Sequence, residues 1–408
     1  MDMLDRLMFL NVWKELSAEK NMVFLAGPRQ SGKTTLSMQV AGGFTNSLYF
    51  NWDIPEDRSR FIASPTFFET LERKDLSTPL IILDEIHKYK DWKNYLKGIY
   101  DKYHSNFKFL ITGSGRLDIY QKGGDSLAGR YYIFHLSPLT ISELCNRNLQ
   151  MDDFLSNPLY IGMERSAELK EIWEALSNLS GFPEPYAAGR EMRYRRWSNT
   201  YSHQLIREDV RDMTEIKSVR EIETLYYLLP SKVGSPISVT SLAGDIGVAY
   251  NSVRNWLDIF ERFYIVFSIP TWTEKVSRSI QKERKYYLWD YPRIKDLSAR
   301  FENMVAAELW RAVTLWNDMG YGSFSLHFIR NKEKQEVDFL IANNREPFLL
   351  IEAKMSDAQP SKSLVTFQRA LNVPAVQLTN AGDTFRLIPN GKNNILIAPA
   401  YQWLSQLP

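Results

Sequence analysis

The sequence predicts an α/β protein of several domains, opening with a parallel sheet covered by helices on both faces and closing with a second, mixed α/β region. Three observations carry that expectation. The chain has 408 residues, more than one compact core accommodates. Over its first third, apolar runs ("NMVFLAG", "SLYFNWD", "PLIILDE", "FKFLITGS") alternate with helix-forming stretches, as consecutive βα units do. From residue 296 onward a helix, two strands and a mixed tail follow one another.

The individual elements follow from their residues. "NMVFLAGPRQSGKTTLSMQVA" reads as a buried strand, a glycine-bounded turn and a helix. "DWKNYLKGIYDKY" is a helix between two later strands, and "YYIFHLSPLTISEL" is a last strand with Pro138 at its exit, so the first domain spans 1–140. Residues 141–230 are helix-forming and rich in Leu, Glu and Arg, with one break at "GFPEPY". Within 231–295, a short helix, a turn at Gly247 and a longer helix follow. In the longer helix Val253, Trp256, Leu257 and Phe260 recur at i, i+3, i+4, i+7 and define one buried face. A β-rich stretch comes next, the pattern of a winged helix-turn-helix. Residues 296–408 form the second α/β domain.

Composition excludes several classes. Hydrophobic residues make up 44% and charged residues 24%, which is globular rather than disordered. The formal charge of +2 leaves only a local patch, not a global field, for a polyanion. One cysteine rules out a disulfide framework and suits a reducing compartment. The opening residues carry acids and no small-residue cleavage site, and no apolar run is long enough to span a bilayer. A cytoplasmic protein with no membrane association is expected.

"GPRQSGKT" fits G-x-x-x-x-G-K-[ST] with Gly27, Gly32, Lys33 and Thr34. The glycines let the loop through Pro28, Arg29, Gln30 and Ser31 turn its N–H groups toward phosphate oxygens, at the positive end of the helix that carries Thr34 and Thr35. Lys33 is placed to reach the β- and γ-phosphates, and the Thr34 hydroxyl to ligate Mg²⁺. "PLIILDEIHK" supplies the partner acids: Asp84 for the Mg²⁺ shell and Glu85 to orient or deprotonate the attacking water. A GTPase or kinase does not need the second acid there, so the pair favours ATP hydrolysis. His87 reads as a surface or packing residue. Thr112 or Ser114, at the end of "FLITGSGR", is placed to sense the γ-phosphate, although Ser114 equally suits a helix cap. Arg130 in "SLAGR" is a finger reaching a neighbouring subunit or a solvated loop charge.

Near the end, "EVDFLIANNREPFLLIEAK" sets Asp338 fourteen positions before Glu352, with Lys354 two further on. A period of two turns Glu352 and Lys354 to one side of a buried strand, a costly placement unless each is paired. Asp338 can come alongside on the preceding strand, and Glu302 is available on the helix that opens the domain. Asp338 and Glu352, with Glu302, would be the oxygen ligands of Mg²⁺, and Lys354 would polarise a water, a layout for phosphodiester hydrolysis. The bland alternative is a nuclease-like fold kept for binding. Upstream, Asn251, Ser252, Arg254 and Asn255 on the longer helix suit phosphate and base-edge contacts, and Lys275, Arg278, Lys282, Arg284 and Lys285 extend a positive strip beside it.

In the order "GPRQSGKTT", "LIILDEIHK", "ITGSGR", "SLAGRYYIFHLSPLTISEL", "GFPEP", "LAGDIGVAYNSVRNWLDIFERFYIVFSIP", "KYYLWD", "FENMVAAEL" and "EVDF…IEAK", the chain resembles the AAA-superfamily predicted ATPases of bacteria and archaea, in the branch with a winged helix and a C-terminal domain of unknown function. The resemblance implies a P-loop AAA+ ATPase core with a helical lid, a winged helix domain and a C-terminal restriction-endonuclease-like PD-(D/E)xK domain. It also implies that Arg130 acts in trans within an oligomer, a hexameric ring, and that one of Arg190, Arg193, Arg195 or Arg196 is a second sensor. Two departures stand out: Val337 replaces the Pro of the PD-(D/E)xK motif, and Tyr291-Pro292 follows "YYLWD" where the family turns with Gly-Leu. The expected function is ATP-driven remodelling or processing of DNA, branched DNA included. The alternative is an ATP-gated signalling or defence switch whose terminal domain is an inactive binding platform.

Overall fold

The computed structural model describes residues 4–113, 127–145, 150–161, 166–210, 219–273, 283–356, 359–382 and 384–408. They divide into two compact units, one of residues 1–138 with 262–264 and one of residues 139–261 with 265–408. The helical region, the helix-turn-helix region and the terminal α/β region therefore pack as parts of a single second unit.

The first unit is built on five strands: β1 (Met22–Ala26), β2 (Ser47–Asn51), β3 (Leu80–Asp84), β4 (Lys108–Thr112) and β5 (Tyr132–His135). Every pairing is parallel, in the order β2-β3-β4-β1-β5. The middle strands β1 and β3 are buried along their whole length, which is why their sequences are continuous apolar runs rather than alternating ones. One face packs a cluster of aromatic side chains, Phe24, Phe50, Phe61, Phe67, Phe68 and Phe109 among them. Each such ring contributes about 1.5–3 kcal/mol on burial. The register sets Asn51, Asp84 and Thr112 side by side at the carboxyl ends of three adjacent strands. That edge is where ligands bind in open α/β sheets.

In the second unit, the described residues of 139–230 are mainly helical, the longest helices among them at Ser166–Leu179 and Glu191–Gln204. The helix Val239–Ile246 ends at Gly247, whose φ of 78° makes the left-handed turn into the helix Tyr250–Arg262. That second helix buries Val253, Trp256, Leu257 and Phe260 and exposes Asn251, Arg254 and Asn255. An antiparallel pair, β6 (Val266–Pro270) and β7 (Arg284–Leu288), follows. After it Asp290 is buried and accepts hydrogen bonds from Tyr194 Oη at 3.0 Å and Ser198 Oγ at 2.6 Å, which anchors the turn through Tyr291–Arg293.

The terminal region has a 22-residue helix, Leu297–Asp318, capped by the Asp296 side chain, and six strands: β8 (Phe324–Arg330), β9 (Glu336–Asn343), β10 (Glu346–Lys354), β11 (Ala375–Thr379), β12 (Arg386–Asn390) and β13 (Asn393–Pro399). Their order is β12-β13-β11-β10-β9-β8, with β10, β11 and β13 mutually parallel and the rest antiparallel. The β9–β10 hairpin turns on Asn344 and Arg345, both at positive φ, the geometry that matches strand twist. Among the described residues no helix is long and apolar enough to cross a membrane.

Candidate nucleotide site and the carboxylate cluster of the terminal region

The loop between β1 and the helix Lys33–Ala41 is shaped by close approach. Gly27 has a φ of 151°, and a Cβ there would sit 2.3 Å from the Leu136 carbonyl oxygen, so only glycine fits. Gly32, at φ 96°, turns the chain into the helix. Ser31 is buried, and Arg29 and Gln30 are half-buried at the bend. The side chain of Lys33 is folded back over the loop, donating to the carbonyls of Gly27 (3.0 Å) and Pro28 (2.7 Å). Burial lowers the pKa of this ammonium to about 8, against the opposing pull of Glu85 and Asp84. Thr34 is exposed at the first turn and Thr35 half-buried behind it.

Asp84 is the hub. Its Oδ2 accepts from Thr34 Oγ1 at 2.9 Å and from Tyr49 Oη at 2.8 Å, and Oδ1 accepts from Thr112 Oγ1. Three hydroxyls thus converge on one buried carboxylate. The Thr34 and Asp84 oxygens lie 2.9 Å apart, and this pair fits a Mg²⁺ ion, which takes one or two protein oxygens beside those of phosphates and water. Glu85 follows in the left-handed region at φ 57°, an uncommon conformation for a side-chain-bearing residue, with its N–H held by the Thr112 carbonyl. Burial raises the Glu85 pKa, but His87, Lys88 and Lys33 together outweigh it and keep the carboxyl ionised below its usual value. Lys88 Nζ lies 3.2 Å from Glu85 and 2.6 Å from Asp53.

Two residues here, Tyr49 and Arg6, escaped the sequence reading. Tyr49 is one of the hydroxyl donors on Asp84. His87 is buried 3.8 Å from Glu85, and burial lowers its pKa. Arg6, 2% exposed, donates to the carbonyls of Ser31 (2.9 Å) and Ser137 (2.9 Å), bracing the back of the loop. No local pattern announces such an arginine. The β2 alternation alone could have singled out Tyr49, two residues before the strand end that faces Asp84.

Of the remaining expected groups, Ser114 lies outside the described residues. Thr112 is buried and committed to Asp84. Arg130 forks onto Asp101, Nε to Oδ1 at 2.6 Å and Nη2 to Oδ2 at 3.1 Å. Arg190, Arg193, Arg195 and Arg196 are all exposed.

In the second unit, Glu352 Oε1 meets Lys354 Nζ at 2.7 Å, and Asp338 Oδ2 accepts from the Ala353 N–H at 3.0 Å. Glu302 Oε1 accepts from Tyr287 Oη at 2.8 Å. Burial, then the charge of Asp338, raises both Glu302 and Glu352 to about 7. Among the described residues no group of three or more His, Cys, Asp or Glu is arranged to hold a metal ion. Lys285 stands among these acids instead. Expected in an exposed basic strip, it is 0% exposed, and its ammonium lies 2.8 Å from Glu336, 3.1 Å from Glu302 and 3.6 Å from Asp338. Burial opposes its charge, yet the three carboxylates outweigh burial and raise its pKa. Glu302, Asp338 and Glu352 as they stand therefore do not fit a Mg²⁺ ion. Arg284 remains exposed, while Lys275, Arg278 and Lys282 lie outside the described residues.

A cleft of about 1330 Å³ in the second unit is lined by Arg195, Ser198, Arg293, Lys295 and Ser298 and reaches Glu302.

Comparison with known proteins places the strand–loop–helix and the Asp84 strand in a family. Residues 19–145 match the family described as AAA domain. Residues 170–291 and 297–398 match two further families, each described as a domain of unknown function. The chain is 21% identical over 397 residues, covering 92% of it and 86% of the relative, to an uncharacterized protein, MJ1544, of Methanocaldococcus jannaschii. It is 25% identical over 269 residues to an uncharacterized protein, Rv2008c, of Mycobacterium tuberculosis, covering 66% of this chain and 54% of that relative. A Walker-type ATPase of Pyrococcus abyssi aligns at 14% identity with a TM-score of 0.46, covering 72% of this chain and 95% of that one. The AAA match covers the strand–loop–helix and the Asp84 strand, so this part of the first unit is similar to AAA domains.

Proposed function

We propose that this chain is an ATPase that couples ATP turnover to DNA held by its second unit. Lys33 would leave the Gly27 and Pro28 carbonyls for the β- and γ-phosphates, while the N–H groups of residues 29–35 line the phosphates. Mg²⁺ held near Thr34 and Asp84 would neutralise charge on the phosphate oxygens. Glu85, kept ionised, would orient the attacking water. Arg130 would exchange Asp101 for the γ-phosphate of a neighbouring subunit in a ring, a low-cost exchange because exposed ion pairs contribute little.

The observation that carries the DNA reading is the helix Tyr250–Arg262. Its apolar face is buried and its Asn251, Arg254 and Asn255 face is exposed, after a tight turn and before an antiparallel hairpin. We read this as a winged helix-turn-helix with the exposed face toward DNA. The terminal region would share the nuclease-like architecture. Lys285 among its acids favours recognition over cutting, which also suits the alternative of an ATP-gated switch with a binding platform.

The test is ATP turnover with and without duplex and branched DNA, beside the variant Arg254→Ala/Asn255→Ala. Stimulation lost in the variant supports the DNA reading. Turnover indifferent to DNA, with no gel shift, leaves the switch.

A further inference from the structure

We infer that Lys285 is the resident cation of the terminal carboxylate cluster, a tethered ammonium seated where a divalent ion would otherwise bind. DNA binding is not required for this role. The side chain comes from β7 and crosses to Glu302 on the helix Leu297–Asp318 and to Glu336 and Asp338 on β9. It therefore links the hairpin to the terminal sheet.

The donor count suits an ammonium. Two carboxylates, Glu336 and Glu302, lie within hydrogen-bond distance of the ammonium and Asp338 pairs with it at 3.6 Å, which suits a group with three donors and no acceptor. Its distances of 2.8–3.6 Å are those of ion pairs. Magnesium would demand oxygens at about 2.0–2.1 Å in octahedral array. Every group facing Lys285 fits the assignment: Tyr287 shares Glu302 with it, Arg330 lies 3.7 Å from the other Glu336 oxygen, and the Phe328 ring centroid is 5.5 Å from Nζ.

A second observation marks the cluster as a cation site with capacity left over. Glu352 is 3% exposed and its Oε2 has no hydrogen-bond partner, while Oε1 is spent on Lys354. Four carboxylates (Glu302, Glu336, Asp338, Glu352) are thus gathered around Lys285 and Lys354, with Arg330 at the rim. Without the Lys285 ammonium the site would hold an excess of negative oxygen, the chemistry that recruits Mg²⁺ or Mn²⁺. Glu302 also lines the cleft. The chain thus carries a latent divalent-cation site that its own lysine blocks.

The experiment titrates Mn²⁺ into the nucleotide-free full-length protein, counting bound ions by loss of the free-Mn²⁺ electron paramagnetic resonance signal. Wild type, Asp338→Asn, Lys285→Met and Lys285→Met/Asp338→Asn are compared. Wild type and Asp338→Asn should bind Mn²⁺ identically. Lys285→Met should gain one ion, lost again in the double variant, and Mn²⁺ should raise its melting temperature but not that of wild type. A wild-type ion that disappears in Asp338→Asn would overturn the assignment without recourse to any lysine variant. A Lys285→Met protein that folds but gains no ion overturns it as well, as does one that stays unfolded with Mn²⁺ present.

Discussion

The Thr34 hydroxyl donates to Asp84 Oδ2 at 2.9 Å, joining the first turn of the helix after the loop to the end of β3. This bond is the exchangeable one in the site. Tyr49 and Thr112 hold Asp84 from other sides, so Thr34 can turn to a metal without leaving the carboxylate loose. Thr34→Ala should therefore fold normally and lose Mg²⁺-dependent ATP turnover by about 100-fold or more, as loss of a charge-stabilising group does. Wild-type turnover in Thr34→Ala would show that the metal is held elsewhere.

Lys33 gives a pH signature. Its ammonium is lowered to about 8 in the free protein by burial, and triphosphate favours the charged form. Below pH 8 the lysine is already charged and ATP binds without proton uptake. As pH rises through 8, binding must draw a proton from solvent, so affinity falls. Calorimetry in buffers of different ionisation enthalpy should report uptake growing between about pH 7.5 and 9. Uptake absent in wild type, or unchanged in Lys33→Met, would assign the titration to another group.

Arg6→Ala should destabilise the first unit by about 2–3 kcal/mol, because two buried carbonyls lose charged donors. The same change frees the back of the loop at Ser31, so ATP affinity should drop as well. Urea unfolding and nucleotide titration read the two effects separately. Arg6→Lys, which keeps the charge but not the planar fork that reaches both carbonyls, should recover part of each.

Gly27→Ala is the steric test of the loop. Its Cβ would overlap the Leu136 carbonyl at 2.3 Å, backbone that cannot step aside alone. Nucleotide binding should be lost, with a thermal midpoint several degrees lower. Unaltered affinity in the Gly27→Ala variant would mean the loop is not held against Leu136 in solution.

Much of this was legible in the sequence because the signals are local. A glycine pattern between a strand and a helix, an apolar run ending in Asp84-Glu85, and the i, i+3, i+4, i+7 set from Val253 to Phe260 each depend on neighbours along the chain. So does the pairing of Glu352 with Lys354, two apart on one strand. Lys285 was illegible for the opposite reason. In "IQKERKYYL" it is one charge among several, and nothing local reveals carboxylates that arrive from Glu302 and from β9. A period-of-two reading of β7 would have helped, since Lys285 and Tyr287 share a face and both reach Glu302. Arg6 had no such clue. Its partners, at Ser31 and Ser137, are backbone carbonyls that any residue supplies.

The proposed hydrolysis stands on Glu85, held ionised beside Lys33 and Lys88, as the group that handles the water. Single-turnover hydrolysis of ATP by wild type and Glu85→Gln, with ATP binding measured in parallel, isolates that role. Glu85→Gln should bind ATP as tightly as wild type and cleave it at least about 100-fold more slowly. Equal cleavage rates in the two proteins would contradict it.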